Sequence, residues 1–193
     1  MVSAIVETLI FLIRTVLDLF FLLVLMRLLF QYFKVEFYNP FYQYILKITN
    51  TILIPIQKII PRSPKIDLSV VSLLIGIKAF ELLLITFLAS GSIPKIGNLI
   101  IWPLGEILTQ TIHVLCLAIF VGSLLSWMQP YRQTPLSAIL YQITEPLLSR
   151  ARKAVPSGIG IDISPILVIV GLQAIEILLT RFLGNILLSA SLK

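Results

Sequence analysis

Apolar positions along this chain follow two patterns. Four long runs have few polar interruptions, and in the two long connections between them apolar residues recur at three- and four-residue steps. A membrane-spanning helix needs about 20 mostly apolar residues. The runs at about 9–33, 68–88, 99–128 and 163–187 each meet that length. The first is too long for a signal-peptide core, lacks a basic start and has no small-residue cleavage site at its end, so it is expected to stay in the mature chain. The expected fold is an all-α membrane protein with four transmembrane helices.

The two long connections carry structure of their own. In the second, Leu136, Ile139, Leu140, Ile143, Leu147, Ala151 and Val155 trace one helical face, with Ser137, Gln142, Glu145, Arg152 and Lys153 largely opposite. That is the pattern of a helix lying in the membrane interface, apolar face down and basic face toward water or anionic headgroups. Pro146 removes a backbone donor and disfavours helix in the residue before it, which predicts two short helices. The first would end near Ile143; the second would restart at Glu145-Pro146 and stop before Pro156-Ser157-Gly158. In the first connection Phe41, Tyr44, Ile45, Ile48, Ile52, Pro55, Ile56 and Ile59 trace a weaker face that Pro61-Arg62-Ser63-Pro64 ends. Interfacial helices are the favoured reading, and short re-entrant segments are the alternative.

Shifting the chain by 95 positions without a gap aligns Pro40 with Pro135, Thr49 with Thr144, Lys58 with Lys153 and Pro61 with Pro156. Ile66, Asp67 and Ser69 meet Ile161, Asp162 and Ser164, and Gly76, Ala79 and Glu81 meet Gly171, Ala174 and Glu176. Apolar composition cannot produce that set of Pro, Asp, Ser and Glu matches. The chain reads as a tandem repeat of two units, 1–95 and 96–193, each a helix, an amphipathic cytoplasmic hairpin and a helix. Each unit has two spans, so both copies cross in the same sense and a pseudo-two-fold axis along the membrane normal is expected.

Composition then narrows the function. Of the 193 residues 58% are hydrophobic and 12% charged, with a mean hydropathy of +1.02. Soluble domains are about 45–50% apolar, so a soluble enzyme and a disordered tail are excluded. The net charge of +6 does not point to nucleic acid, because the basic residues flank the spans. Lys34, Lys47, Lys58, Arg62 and Lys65 fall in the first long connection and Arg132, Arg150, Arg152 and Lys153 in the second, against Lys95 and Lys193 on the other side. The positive-inside rule makes both connections cytoplasmic and puts both termini outside the cytoplasm. Anionic lipid headgroups are the natural neighbours of those basic residues.

Inside the spans, Arg14 and Asp18 stand one helical turn apart, as do Lys78 and Glu81, and each couple is expected to pair. Arg27 is expected to snorkel toward the cytoplasmic surface. The second copy has Thr109, His113, Gln173 and Glu176 at the matching positions. Glu106 faces the same way as His113, and Arg181 lacks an acid at helical spacing within its own span. One reading is a polar track of Asp18, Glu81, His113 and Glu176 that passes or senses cations or protons. The other is intramembrane glue that fixes helix register, favoured by the local neutralisation.

At the start of the last span, Asp162-Ile163-Ser164-Pro165 reads as a helix start, with Ser164 as cap and Pro165 in the first turn. Asp67-Leu68-Ser69 does the same in the first copy. Capping is favoured over the alternative that Asp67 and Asp162 bind a cation or a partner. One cysteine and one histidine exclude a disulfide framework and a metal site of Cys and His alone. Nucleophile elbows, zinc-protease signatures and phosphate loops are missing, so neither an enzyme nor a cofactor is expected.

Ser126-Trp127, Thr134-Pro135, Thr144-Glu145-Pro146-Leu147-Leu148, Arg152, Pro156 and Gly160-Ile161-Asp162-Ile163-Ser164-Pro165 closely resemble the signature of the YggT (YlmG-like) family of small bacterial and plastid membrane proteins. Asn39-Pro40, Thr49, Pro61, Asp67 and Ser69 resemble a degraded first copy, with Asn50-Thr51 in place of Glu-Pro and Val70 in place of proline. The resemblance implies an inner-membrane protein linked to osmotic tolerance and potassium accumulation in some bacteria and to cell division in others. In plastids it implies links to cytochrome assembly and nucleoid organisation. Two functions follow: support of osmotic and potassium homeostasis through cation passage, or a scaffold that holds a division or assembly partner through the basic cytoplasmic helices. Whether copies of the chain associate with one another stays open.

Overall fold

The computed structural model describes residues 2–60, 67–128, 134–154 and 162–191, and the side chains of 4–60, 67–128, 134–153 and 162–184. Six helices follow in order: α1 (Val2–Tyr32), α2 (Pro40–Gln57), α3 (Leu68–Ser90), α4 (Asn98–Met128), α5 (Pro135–Ala154) and α6 (Ser164–Ser191). Four of them are long and apolar enough to cross a membrane: α1 from Ala4, α3, α4 and α6 up to Gly184. They coincide with the four expected spans, except that α1 begins at Val2 because nothing before Leu9 breaks the helix.

Among the described residues each connection holds one continuous helix, where two short ones were expected around Pro146 in the second. Pro146 lies inside α5 and Pro55 inside α2. A proline in a helix interior costs about 3 kcal/mol, so both need support from outside the backbone. In α5, Ile139, Ile143, Thr144 and Leu148 are buried on both sides of the proline. Glu145 and Arg152, two turns apart, also bridge it through an ion pair. The expected stop at Pro156 lies outside the described residues, as do Pro61-Arg62-Ser63-Pro64.

The buried faces of the short helices differ from the expected ones. In α2, Tyr42, Ile45, Thr49 and Leu53 turn inward, while Phe41, Tyr44, Ile48 and Ile52, and Ile59 just beyond the helix, stay exposed. The simple periodicity merged two apolar faces, one against the protein and one open. In α5 Leu136 is likewise exposed.

Local chemistry sets the joints. The chain leaves α1 through a Schellman-type turn, in which Val35 N–H reaches Phe30 C=O at 2.8 Å and Lys34 N–H reaches Gln31 C=O at 3.2 Å. Lys34 takes the left-handed conformation there, at φ 54°. Asn39 caps α2 by accepting from the Phe41 amide at 3.0 Å, and Gly91 ends α3 at φ 65°, a conformation glycine adopts without strain.

Within each repeat the two spans pack together, α1 on α3 and α4 on α6, with α2 or α5 laid against them. Gly105 lets α6 come close to α4, since a Cβ there would lie 2.9 Å from Leu183 Cδ1. Between repeats α3 packs on α4, and α2 meets α5. Glu36 N–H donates to Gln142 Oε1 at 3.0 Å and Asn39 Nδ2 to the Pro135 carbonyl at 2.8 Å, tying the two copies together at this end. A two-fold axis within the chain would also set α6 against α1. No comparable packing joins those two helices, so the expected pseudo-symmetry is not closed within one chain.

Arg27 does not snorkel. It is 6% exposed and donates from Nη1 to Thr49 Oγ1 at 2.7 Å and to Asn50 Oδ1 at 2.8 Å, clamping α2 to α1. Replacing it strands buried acceptors and opens a cavity. Arg27→Ala is expected to destabilise the protein by about 2–4 kcal/mol, read as a lower unfolding temperature in detergent. Arg27→Lys, which keeps the charge but loses the planar fork, should recover only part of that loss.

Candidate functional site

In the first repeat α1 and α3 bring four charged side chains together. Lys78 Nζ donates to Asp18 Oδ1 and, at 2.7 Å, to Glu81 Oε2. Arg14 Nε lies 3.4 Å from Glu81 Oε1 and 3.7 Å from Asp18 Oδ2. Both expected local couples are present, and the contacts between helices link them into one cluster of two cations and two carboxylates. Lys78 and Glu81 are buried, while Arg14 and Asp18 sit on the open flank of α1 with side chains 57% and 41% exposed. The Lys78 ammonium also lies 4.8 Å from the centre of the Phe21 ring, a favourable cation–π distance.

In the second repeat His113 Nε2 stands 2.8 Å from Glu176 Oε1, with the histidine side chain 52% exposed. The matching residues of the two copies lie at corresponding places but meet differently: Lys78 and Arg14 bridge Asp18 and Glu81, whereas His113 contacts Glu176 directly. The four residues form two separate pairs rather than one joined track among the described contacts. A groove of about 280 Å³ lined by Thr15, Asp18, Leu19, Phe21, Leu22 and Gln110 reaches Asp18 and none of the other three. Arg181 pairs with neither Glu176 nor Glu106. Among the described residues no three His, Cys, Asp or Glu side chains converge as metal ligands.

The motif residues of the second connection form a second site. Arg152 Nε donates to Asp162 Oδ2 at 2.9 Å, and Arg152 Nη1 donates to both Glu145 oxygens at 2.9 and 3.0 Å. Asp162 Oδ1 accepts the Ser164 amide at 2.9 Å. The cap of α6 is thus the Asp162 carboxylate and not the Ser164 hydroxyl, which lies buried beside it. That nearby hydroxyl first, then Arg152 and the amide, hold the Asp162 carboxyl below its ordinary value. Arg152 is held more firmly protonated, first by Asp162 and then by Glu145. Pro135 opens α5, and Pro165 stands in the first turn of α6 as expected; Pro156 lies outside the described residues.

The first copy builds the same joint with the Gln57 amide where the second has the Arg152 guanidinium. Asp67 caps α3 through the Ser69 amide at 3.1 Å and accepts from Gln57 Nε2 at 3.1 Å. Ser69 Oγ donates to the Ile60 carbonyl at 2.9 Å. Gln57 occupies the position of Arg152, and Asn50, held by Arg27, the position of Glu145. Sequence reasoning missed Gln57 and Thr49–Asn50 as functional positions, although the 95-position shift aligns them with the motif. Each capping carboxylate uses both oxygens on protein donors, which favours the capping role over cation binding.

Two outcomes are expected. Lys78→Met removes the buried cation between Asp18 and Glu81, leaves them only the more exposed Arg14, and should lower stability by about 3 kcal/mol. Lys78→Met/Glu81→Gln should be less damaging than the single change when detergent unfolding temperatures are compared. For Asp162, the lowered folded-state value makes its contribution fully present above the ordinary carboxylate value and lost as pH falls through the folded one. The gap in unfolding temperature between the unaltered protein and Arg152→Gln should therefore narrow as pH falls from neutral into the acid range.

A CCB3/YggT family model matches residues 6–88 and again 101–183, two segments offset by the same 95 positions as the repeat. The "Uncharacterized protein YggT" of Escherichia coli (strain K12) is 35% identical over 191 residues, covering 94% of this chain and 96% of that protein. The "Uncharacterized protein PA0392" of Pseudomonas aeruginosa is 33% identical, covering 91% and 89%. The "Uncharacterized protein in proC 3'region" of Vibrio alginolyticus is 29% identical, covering 91% and 95%. No solved structure matches the chain. Two matched repeats across most of its length and relatives alike from end to end establish that the chain belongs to the CCB3/YggT family.

Proposed function

We propose that this is a non-enzymatic scaffold of the bacterial inner membrane, with both termini outside the cytoplasm. Its α2–α5 layer holds a membrane-associated partner against anionic lipid and supports osmotic and potassium homeostasis by that route. The observation that carries this reading is the division of labour among the charges. The motif charges Arg152, Glu145 and Asp162 are consumed in bracing the layer. Lys47 of α2, Lys58 at its C-terminal cap, and Arg150 and Lys153 of α5 are exposed, and among the described residues no carboxylate pairs with them. Clustered basic residues at a membrane surface attract anionic lipid at about 1 kcal/mol each.

The second reading, cation or proton passage, draws on one observation: His113 is half exposed beside Glu176 at membrane depth. The first-repeat cluster speaks against it, because the Lys78 ammonium already stands where a permeating cation would bind.

Liposomes holding the purified protein separate the two. Under the scaffold reading, potassium, sodium and proton flux stay at the level of empty liposomes. Cells carrying Arg150→Gln/Lys153→Gln lose osmotic tolerance, while cells carrying Glu81→Gln/Glu176→Gln at equal protein level keep it. Flux above background that disappears in Glu81→Gln/Glu176→Gln would overturn the scaffold in favour of transport.

A further inference from the structure

The two repeats are alike in sequence but not in surroundings, and the difference has a pattern. α3 buries 39% of its most apolar stretch and α6 none. Val71, Ile75, Ala79, Leu82 and Ile85 of α3 are all partly covered, and they fall at steps of four and three, one stripe along one helix face. Their repeat counterparts on α6, Ile166, Val170, Ala174, Ile177 and Thr180, are all exposed. On the other side of the α3–α4 joint, Pro103, Ile107, Gln110 and Val114 of α4 are covered, and Ile107 and Val114 pack on the α1–α3 core. Their counterparts on α1, Thr8, Leu12, Thr15 and Leu19, are exposed. The chain therefore carries the two halves of its own inter-repeat joint a second time, on α6 and on α1, with no counterpart to close them.

We propose that a second copy of this chain covers both stripes, with α6 of one copy packing on α1 of the next in the geometry of the internal α3–α4 joint. The contact is head-to-tail, and two copies that make it reciprocally bring four repeats together; such joints close into rings when the rotation permits. The turn between Ser90 and Asn98 fixes the antiparallel register of the internal joint and sets Lys78 level with Gln110. Carried over by the repeat, that register sets Gln173 of one copy level with Thr15 of the other.

Polar residues beside the α6 stripe argue for protein rather than lipid as the covering. Gln173 and Arg181 are exposed within a single chain and bond nothing among the described residues. Acyl chains offer such groups no hydrogen bond, whereas polar residues at helix–helix contacts in a membrane hydrogen-bond across them.

The test is cross-linking of the full chain in its native membrane, with Cys116→Ala removing the native thiol. Leu82→Cys/Ile107→Cys in one chain should form an intramolecular bridge, because both positions lie on the covered stripes at the register the Ser90–Asn98 turn sets. Their counterparts are Ile177 and Leu12. A chain with Ile177→Cys co-expressed with a differently tagged chain with Leu12→Cys should yield a reducible product of twice the chain mass that contains both tags. Neither single variant should cross-link with itself. Formation of the internal bridge without the two-tag product would overturn the proposal. Self-cross-linking of either single variant would equally overturn it, since it means a face-to-face pairing of like helices.

Discussion

A charge at membrane depth must find its complement, and the placing of Lys78 between Asp18 and Glu81 is the contact on which the first repeat is organised. The ammonium is buried on α3, yet one of its acceptors comes from α1. Helix rotation and depth are therefore specified together: sliding α1 by one turn would part Asp18 from Lys78 and Arg14 from Glu81, breaking the four-charge cluster into two local pairs. Apolar packing alone specifies register weakly between helices, because lipid tails are as apolar as leucine. The charged cluster supplies what Phe21, Val24 and Leu25 on α1 and Leu73, Leu74 and Ile77 on α3 cannot, a single register for the core they form.

The α2–α5 layer obeys the same constraint with different chemistry. Each amphipathic helix must be fixed to the span it precedes, and in both copies the fixing point is the carboxylate that caps that span. The Asp67 and Asp162 carboxylates each bind a helix-start amide with one oxygen and a side chain from the preceding amphipathic helix with the other. The cap thus acts as a hinge pin between an amphipathic helix and a spanning one. The favourable placing of a carboxylate at a helix N-terminus and the tertiary contact are satisfied by the same group.

Much of this was legible in the sequence. The four spans follow from run length, and the tandem unit follows from Pro, Asp, Ser and Glu matches that composition cannot mimic. The couples Arg14–Asp18 and Lys78–Glu81 follow from one-turn spacing. What escaped involved contacts between elements. Spacing along one helix shows that Lys78 can reach Glu81, but not that it also reaches Asp18 sixty residues away. Arg27 looked like a surface residue because its acceptors, Thr49 and Asn50, lie on another helix. Pro146 looked like a helix breaker because the buried residues on either side and the Glu145–Arg152 bridge are tertiary facts. The two apolar faces of α2 merged into one because periodicity marks apolar positions without saying which of two apolar environments each one meets.

Packing asymmetry also explains how the copies diverged. Position 78 lies where α3 is enclosed by α1 and α4, so a lysine there finds two carboxylates and stays 2% exposed. The matching position 173 on α6 is exposed, and an ammonium there would face outward at membrane depth. Glutamine carries no charge that needs a counter-ion, and His113 takes over the approach to the acid. At the other end of the first span, Arg27 reaches across to Asn50. Its counterpart Gly122 instead faces α5, where an added Cβ would lie 3.8 Å from Leu140 Cβ. With no arginine arriving from α4, Glu145 turns to Arg152 on its own helix, and the same cation then serves Asp162. In the first copy Lys78 and Arg27 reach from a span to a neighbouring helix, and in the second Arg152 braces the α5–α6 joint. Each charge sits where its copy provides enclosure or partners, and the substitutions at positions 122, 145, 152 and 173 follow from that single rule.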